Sequence, residues 1–370
     1  MREADREISV EDSDSPRLRV IDLFAGCGGL TTGFDLTKRF DPVAAVEHDL
    51  AAASTYAANY GKDHVFWGKI EDWVTGDLPD ADVVVGGPPC QGFSNLGKKS
   101  PFDPRNELWR HYMETLIKVR PQAFLIENVD RFSTSDQFQM LARETAPGGL
   151  LEQYDIDARI VRATDFGAAQ LRRRFIVIGT HRDLPKIKVP VGQVAKADWK
   201  TVRQALIGLD EHVDPAHREL PSTVETFFDR NVPGVFESPE LHITRYYTDL
   251  SLNRFKHIKV GGNRLHLPDD LKANCWIGHD KGSLDVMGRM HWDRPSVTIR
   301  TEFFKPEKGR YLHPERNRAI THHEAARLQG FSDDFKWCGS KLDIARQIGN
   351  AVPVELAHGL ATHIADQLEH

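Results

Sequence analysis

Short apolar runs alternate with stretches of helical period through the first 180 residues. The runs 18–24, 43–47, 82–85, 123–126, 156–161 and 175–179 are rich in Val, Ile, Leu and Phe and predict buried strands. Between them, 30–38, 50–60, 107–119 and 135–144 predict helices. Such alternation indicates βαβ units on a mostly parallel sheet, hence an α/β fold with a large doubly wound domain. After about residue 181 the pattern degrades. Residues 185–290 are rich in Pro, Gly, His and Asn without a clean period, and predict a smaller, loop-rich domain. Helical signal returns at 322–329, where Thr321 and Glu324 have capping-box spacing, and at 354–367. The expected division is a tail (1–16), a first domain (17–182), a second (183–320) and a C-terminal segment returning to the first (321–367).

Composition adds limits to this picture. A chain of 370 residues, 40% hydrophobic and 28% charged, can bury a large core. No apolar stretch approaches the ~20 residues that span a bilayer. Residues 1–16 are polar and acidic, so neither a signal peptide nor a membrane partner is expected. Cys27, Cys90, Cys275 and Cys338 lie far apart without a CxxC pair, which indicates neither a metal site nor a disulfide framework. A reducing, cytoplasmic setting fits. The final Leu368-Glu369-His370 could begin an expression tag.

The net charge of −6 averages unlike regions. Residues 1–90 hold 17 acidic and 8 basic side chains, whereas 241–310 hold 13 basic and 8 acidic. A basic later segment suits a protein presenting one face to phosphates, although ordinary solvated charge explains it equally well.

Candidate chemistry gathers at the ends of the strand patterns. Asp22-Leu23-Phe24-Ala25-Gly26-Cys27-Gly28-Gly29-Leu30 reads as a strand, a glycine turn and a helix start, where a ligand can approach the backbone. Glu47 closes the next strand and suits vicinal ribose hydroxyls; a tight turn with a capping acid is the plain alternative. The spacing Gly26-x-Gly28-Gly29, then Gly33, departs from GxGxxG. That disfavours a nicotinamide dehydrogenase and leaves room for S-adenosylmethionine, which has no phosphate.

Cys90 follows Gly86-Gly87-Pro88-Pro89, and two prolines hold it in a stiff turn. A thiol with an ordinary pKa of ~8.5 needs positive charge or helix-end dipoles nearby to act as a nucleophile. Glu127 ends the run Ala123-Phe124-Leu125-Ile126 and is the candidate proton partner. Gln170-Leu171-Arg172-Arg173-Arg174 adds planar donors for carbonyl or phosphate oxygens, with Arg172 and Arg174 expected to point one way and Arg173 the other.

Taken together, these residues resemble the cytosine-C5 DNA methyltransferases of the bacterial modification type. The cofactor turn, Glu47, Pro88-Pro89-Cys90-Gln91, Glu127-Asn128-Val129 and the arginine stretch match in order. So do Arg294-Pro295-Ser296-Val297-Thr298-Ile299, Glu324-Ala325-Ala326-Arg327-Leu328-Gln329-Gly330-Phe331 and Gln347-Ile348-Gly349-Asn350-Ala351-Val352-Pro353.

The resemblance implies a smaller target-recognition domain. It also implies S-adenosylmethionine held by Phe24, Gly26, Cys27, Gly29, Glu47, His48, Ile70, Pro89, Leu108, Asn350, Ala351 and Val352, leaving S-adenosylhomocysteine as product. Cys90 would add to C6 of a flipped-out cytosine. Glu127 would bond N3 and the exocyclic amine, and Arg174 would bond O2, with Arg172 supporting the loop and Cys90.

One departure stands out. Where the family has Gly-Asp-Ile, this chain has Gly68-Lys69-Ile70, and Lys69 cannot accept a bond from adenine. Glu71, Asp72 or a backbone carbonyl would have to substitute.

Residues 91–105 form a candidate mobile loop over double-stranded DNA, with Ser94, Lys98 and Lys99 as contacts. Arg245, Arg254, Lys256, Lys259, Asn263 and Arg264 are further candidate contacts. A bacterial monomer acting on the nucleoid, with a restriction endonuclease as functional partner and no metal, completes the expectation. A tRNA-directed relative and a non-catalytic DNA binder are the rival readings.

Overall fold

The computed structural model describes residues 16–89, 105–278 and 284–369, without the side chains of 105–107. Seven strands form the main sheet: β1 (Leu18–Leu23), β2 (Phe40–Glu47), β3 (Val65–Trp67), β4 (Val83–Gly86), β5 (Ala123–Asn128), β6 (Tyr154–Arg162) and, after the two-residue β7 (Gln170–Leu171), β8 (Arg173–His181). Their order is β3-β2-β1-β4-β5-β8-β6. Strands β1 to β5 run parallel, while β8 is antiparallel to both neighbours.

Alternation of side chains explains the layering. Val83, Val85, Ala123, Leu125, Ile176 and Ile178 face one core, and Val84, Phe124, Ile126, Phe175 and Val177 face the other. A sheet buried on both faces reads as continuous apolar runs, which is why its strands are visible in the sequence.

The helices α1 (Gly29–Leu36), α2 (Leu50–Tyr60), α3 (Ile70–Trp73), α4 (Arg105–Val119) and α5 (Asp136–Glu144) connect the strands. The expected α/β class is borne out, and the six expected strands agree with the observed ones to within two or three residues. Strand β3 and helix α3 were not expected. The strand has three half-buried residues and the helix four, too few to show a period.

Beyond β8 the chain carries α6 (Val202–Ala205), the hairpin β9 (Val224–Phe227) and β10 (Arg230–Pro233), β11 (Phe236–Glu237), α7 (Asp249–His257), β12 (Ser296–Val297), α8 (His322–Leu328), β13 (Lys336–Trp337), α9 (Lys341–Asn350) and α10 (Val354–Leu368). One apolar core joins Val202, Phe236, Trp292 and Tyr311 to Ala325, Ile344 and Ile348, across residue 320. Leu356, Leu360 and Ile364 of α10 pack against sheet residues Val20, Val85 and Leu125. The closest approach is at Gly33, where an added Cβ would meet Ala357 Cβ and the His358 nitrogen at 2.4 Å. No helix among the described residues is long and apolar enough to cross a membrane.

Candidate active site

Strand β1 lies between β2 and β4, so the chain leaves it in both directions and opens a crevice at the strands' carboxyl ends. The register aligns Leu23 with Val46 and Gly86, and Gly86 with Ile126. The turns carrying the candidate residues therefore share one edge.

The turn after β1 runs through left-handed backbone at Phe24 (φ 57°), Gly26 (φ 57°) and Gly28 (φ 91°). Glycine adopts such angles freely; Phe24 does so at a cost. The Glu47 carboxylate is buried and fastens this turn. Its Oε2 accepts from the Gly26 N–H at 2.8 Å and its Oε1 from the Asp49 N–H at 2.8 Å. His48 is exposed, with Nδ1 3.0 Å from Glu47 Oε1, and the bond to that carboxylate raises its pKa. Cys27 is buried against the Gln347 carbonyl, and burial pushes its thiol up to about 12, so it remains a neutral packing group.

Asp22, which carried no expected role, lies 1% exposed beneath the same turn. Its Oδ2 accepts from Thr31 Oγ1 at 2.7 Å, while Oδ1 has no donor among the described residues. Burial raises its pKa to about 7, and the Thr31 bond offsets this only in part. Its sequence signal was a carboxylate inside an otherwise apolar strand.

Ala351 and Val352 reach the turn from the chain's other end, while Asn350 beside them is exposed, with its carbonyl toward Arg172. A Cβ on Gly29 would meet the Val352 carbonyl oxygen at 3.0 Å and Ala351 Cβ at 3.2 Å. Ile70 is buried at the start of α3, and Leu108 is half-buried on α4. Lys69 is exposed, and its carbonyl accepts from the Asp72 and Trp73 N–H groups, which commits that oxygen to the helix.

At the reactive end, Glu127 is 9% exposed at the close of β5. Arg174 Nε lies 2.5 Å from its Oε1 as an ion pair without hydrogen-bond alignment. A Cβ on Gly87 would stand 3.3 Å from Glu127 Oε2, and Asn128 Nδ2 donates to the Pro88 carbonyl at 2.9 Å. The segment ending in Pro89 is thus tied to the strand that carries the carboxyl group. Cys90, Ser94, Lys98 and Lys99 lie outside the described residues, as does the expected loop up to residue 104.

The three arginines alternate as their spacing implies. Arg173 is exposed, with Nε 3.1 Å from Asp130 Oδ2, while Arg172 and Arg174 point inward. Arg172 was expected to support the loop and Cys90, which lie outside the described residues; its partners among the described ones are backbone carbonyls. Its Nη1 donates to the carbonyls of Ile299 (3.0 Å) and Gly349 (3.1 Å), and Nη2 reaches that of Asn350 at 3.4 Å. Those bonds direct it to the C-terminal segment, and burial lowers its pKa to about 9.

The expected DNA contacts scatter. Lys256 and Lys259 are exposed on and after α7. Arg245 is exposed, with its guanidinium over Tyr247, beside a cavity of about 260 Å³ that also includes Arg218 and Arg316. Arg254 donates to the Leu271 carbonyl and covers Trp276, and Asn263 Oδ1 accepts from the Leu265 N–H. Arg264 is 5% exposed, which takes it off any DNA-facing surface. Among the described residues there is no cluster of His, Cys, Asp and Glu fit for a metal.

Comparison with known proteins agrees with this geometry. Residues 18–366 match the family model described as C-5 cytosine-specific DNA methylase. The chain is 31% identical to the Type II methyltransferase M1.HphI of Haemophilus parahaemolyticus, over 93% of this chain and 86% of that protein. It is 32% identical to the Type II methyltransferase M.XorII of Xanthomonas oryzae, over 94% and 84%. A prophage-encoded E. coli protein, described as a DNA modification methyltransferase, superposes with a TM-score of 0.71 at 26% identity. That match covers 95% of this chain and all of the other.

Proposed function

The chain belongs to the C-5 cytosine-specific DNA methylase family, and from that premise we propose how its residues carry out the reaction. The protein is a DNA (cytosine-5)-methyltransferase of the Type II modification kind, and its family implies S-adenosylmethionine as methyl donor.

The residues present fit that cofactor. It carries an ammonium, a sulfonium and a ribose diol. Asp22 Oδ1 is buried without a donor near the glycine turn, and Glu47 ends the neighbouring strand. Gly26, where an added Cβ would meet nothing within 4 Å, leaves space beside the turn. Asp22 and the backbone around Phe24 would hold the amino-acid end, Glu47 the ribose, and Ile70, Pro89 and Leu108 the adenine, with Asn350, Ala351 and Val352 closing the pocket. When bound, the cofactor supplies an electrophilic methyl group.

Cytosine C5 is too electron-poor to accept that group unaided. The Cys90 thiolate forms a bond to C6, which moves electron density to C5. Glu127 holds a proton at N3 and accepts from the exocyclic amine, offsetting the charge that develops in the ring. Arg174 keeps Glu127 oriented and offers its remaining donors to O2. Loss of the C5 proton to a base lets the C6–sulfur bond break and restores the thiolate. The cytosine must leave the base stack to meet these groups, so the substrate is a duplex with one base turned outward. Residues 183–320 serve as the target-recognition part, with Lys256, Lys259 and Arg245 toward the phosphates.

The observation that carries this reading is the Glu127 carboxyl, paired with Arg174 and lying against Gly87, three residues before Cys90. Cys90→Ser tests it. Transfer of labelled methyl to duplex DNA is expected to vanish while DNA binding persists, and wild-type protein alone is expected to form a covalent adduct with a 5-fluorocytosine duplex. Near-normal turnover by Cys90→Ser, or an adduct with tRNA but none with duplex, would overturn the proposal.

A further inference from the structure

The hairpin β9–β10 belongs to the stretch expected to read DNA, yet its tip rests on the cofactor side of the sheet. Its two turn residues, Phe228 (φ 51°) and Asp229 (φ 59°), both occupy left-handed backbone. Asn or Asp followed by Gly suits such a two-residue turn, because positive φ costs them little. Asp229 conforms, but a phenylalanine there is strained, and strain of this kind points to a use for the side chain.

The Phe228 ring contacts Trp67 at the end of β3, with centroids 5.9 Å apart. Trp67 Nε1 donates to the His48 carbonyl at 3.1 Å. His48 Nδ1 in turn lies 3.0 Å from Glu47 Oε1, and the same carboxylate holds the Gly26 N–H. The hairpin's base is fixed independently of this contact. Gly339 N–H donates to the Pro233 carbonyl at 2.7 Å, and Cys338 N–H to Thr55 Oγ1 on α2 at 2.8 Å. The tip is therefore held against Trp67 by a rooted arm. Lys69, exposed at the start of α3 on the same rim, offers no acceptor for adenine.

We propose that Phe228 is a positioning residue for the cofactor, holding Trp67 and through it the His48–Glu47 edge that takes the ribose. This rests on the reading of the crevice as the S-adenosylmethionine site. Phe228 touches no reacting atom; it acts through Trp67. Its position on the hairpin also links the DNA-reading part of the chain to the cofactor rim.

Calorimetric titration of S-adenosylhomocysteine into the full chain tests the proposal. Phe228→Ala is expected to weaken binding roughly two- to tenfold, the range for loss of one aromatic pair. Phe228→Tyr is expected to restore it to within about twofold. Phe228→Gly keeps the left-handed turn at no cost and removes only the ring, so it is expected to match the Ala variant. Duplex affinity and kcat at saturating cofactor are expected to stay within about twofold of wild type, with KM for the cofactor carrying the change. Wild-type affinity in Phe228→Gly, or a loss that appears in DNA affinity rather than cofactor affinity, would overturn the proposal. Glu47→Ala serves as the control. If it leaves binding unchanged, the reading of the crevice itself fails; if it weakens binding while Phe228→Ala and Phe228→Gly do not, only the role of Phe228 fails.

Discussion

Replacing Arg172 by Met keeps most of the stem and removes the guanidinium, which separates a structural task from a chemical one. Arg172 is 3% exposed, and Nη1 makes two well-formed bonds, to the Ile299 and Gly349 carbonyls. A hydrogen bond from a charged donor contributes about 1.5–3 kcal/mol, so the pair is worth about 3–6 kcal/mol before costs. Burying the cation offsets part of this, as the lowering of its pKa to about 9 indicates. The expected net loss for Arg172→Met is therefore about 2–4 kcal/mol. Arg174 differs: its partner is the nearly buried Glu127 at the cleft, so Arg174→Met should cost about 3 kcal/mol by leaving that carboxylate unpaired, and here the transfer rate collapses as well. Urea unfolding followed by fluorescence, beside methyl transfer at saturating cofactor, resolves the two. An Arg172→Met protein that unfolds at the wild-type urea concentration yet transfers no methyl would refute the reasoning, because it would put Arg172 on the substrate.

Three further outcomes follow from buried groups. Asp22 titrates at about 7, so wild-type affinity for the cationic cofactor should fall as pH drops from 8 to 6. Asp22→Asn should bind weakly at every pH, and titration calorimetry at pH 6, 7 and 8 would contradict this with a flat wild-type profile. His313 and His322 are buried with pKa values lowered to about 4, below the ~6.5 of an unfolded chain, so the unfolded state takes up protons first. Stability should be full above pH ~6.5 and decline toward pH 4, by up to about 3 kcal/mol for each group; a Tm unchanged between pH 7 and 5 would count against it. Gly33→Ala drives a Cβ into the backbone of α10, and about 1–3 kcal/mol should be lost, read from the shift in urea midpoint.

What the sequence disclosed depended on how each element is stabilised. The sheet strands are buried on both faces, so Val83-Val84-Val85 and Phe124-Leu125-Ile126 announce themselves without their neighbours. Helix α9 was not among the expected helices, although Ser340 with Asp343 spells a capping box and Ile344, Ala345 and Ile348 give one buried face. Helix α7 offered only a single fully buried side chain, Phe255, and so left no period to read. For the site, residue type located Glu127 and Glu47 at strand ends but could not distinguish Arg172 from Arg174. That distinction depends on the Ile299 and Gly349 carbonyls, 127 and 177 positions away. Arg264 misled for the same reason: a basic residue in a basic segment says nothing about burial.

The distance in sequence between those partners explains why a methyltransferase of this kind needs its own C-terminus. Three glycines govern the closure. Gly29 admits the Val352 carbonyl, Gly33 admits α10, and Gly349 would place a Cβ 2.3 Å from the Thr301 nitrogen. Each lacks a side chain where another part of the chain passes. Arg172 then bonds residues 299, 349 and 350 together from the arginine turn, and Gln170 Nε2 donates to the Leu328 carbonyl and to Gln329 Oε1. The glycine turn, the arginine turn, the 296–301 segment and the end of α9 therefore pack as one unit. A side chain added at any of the three glycines should disturb the cofactor edge and the Glu127–Arg174 edge together. The physical reason is that the β1–β4–β5 ladder joins these two edges from beneath, while the returning segment packs against the glycine turn and bonds the arginine turn from the other side.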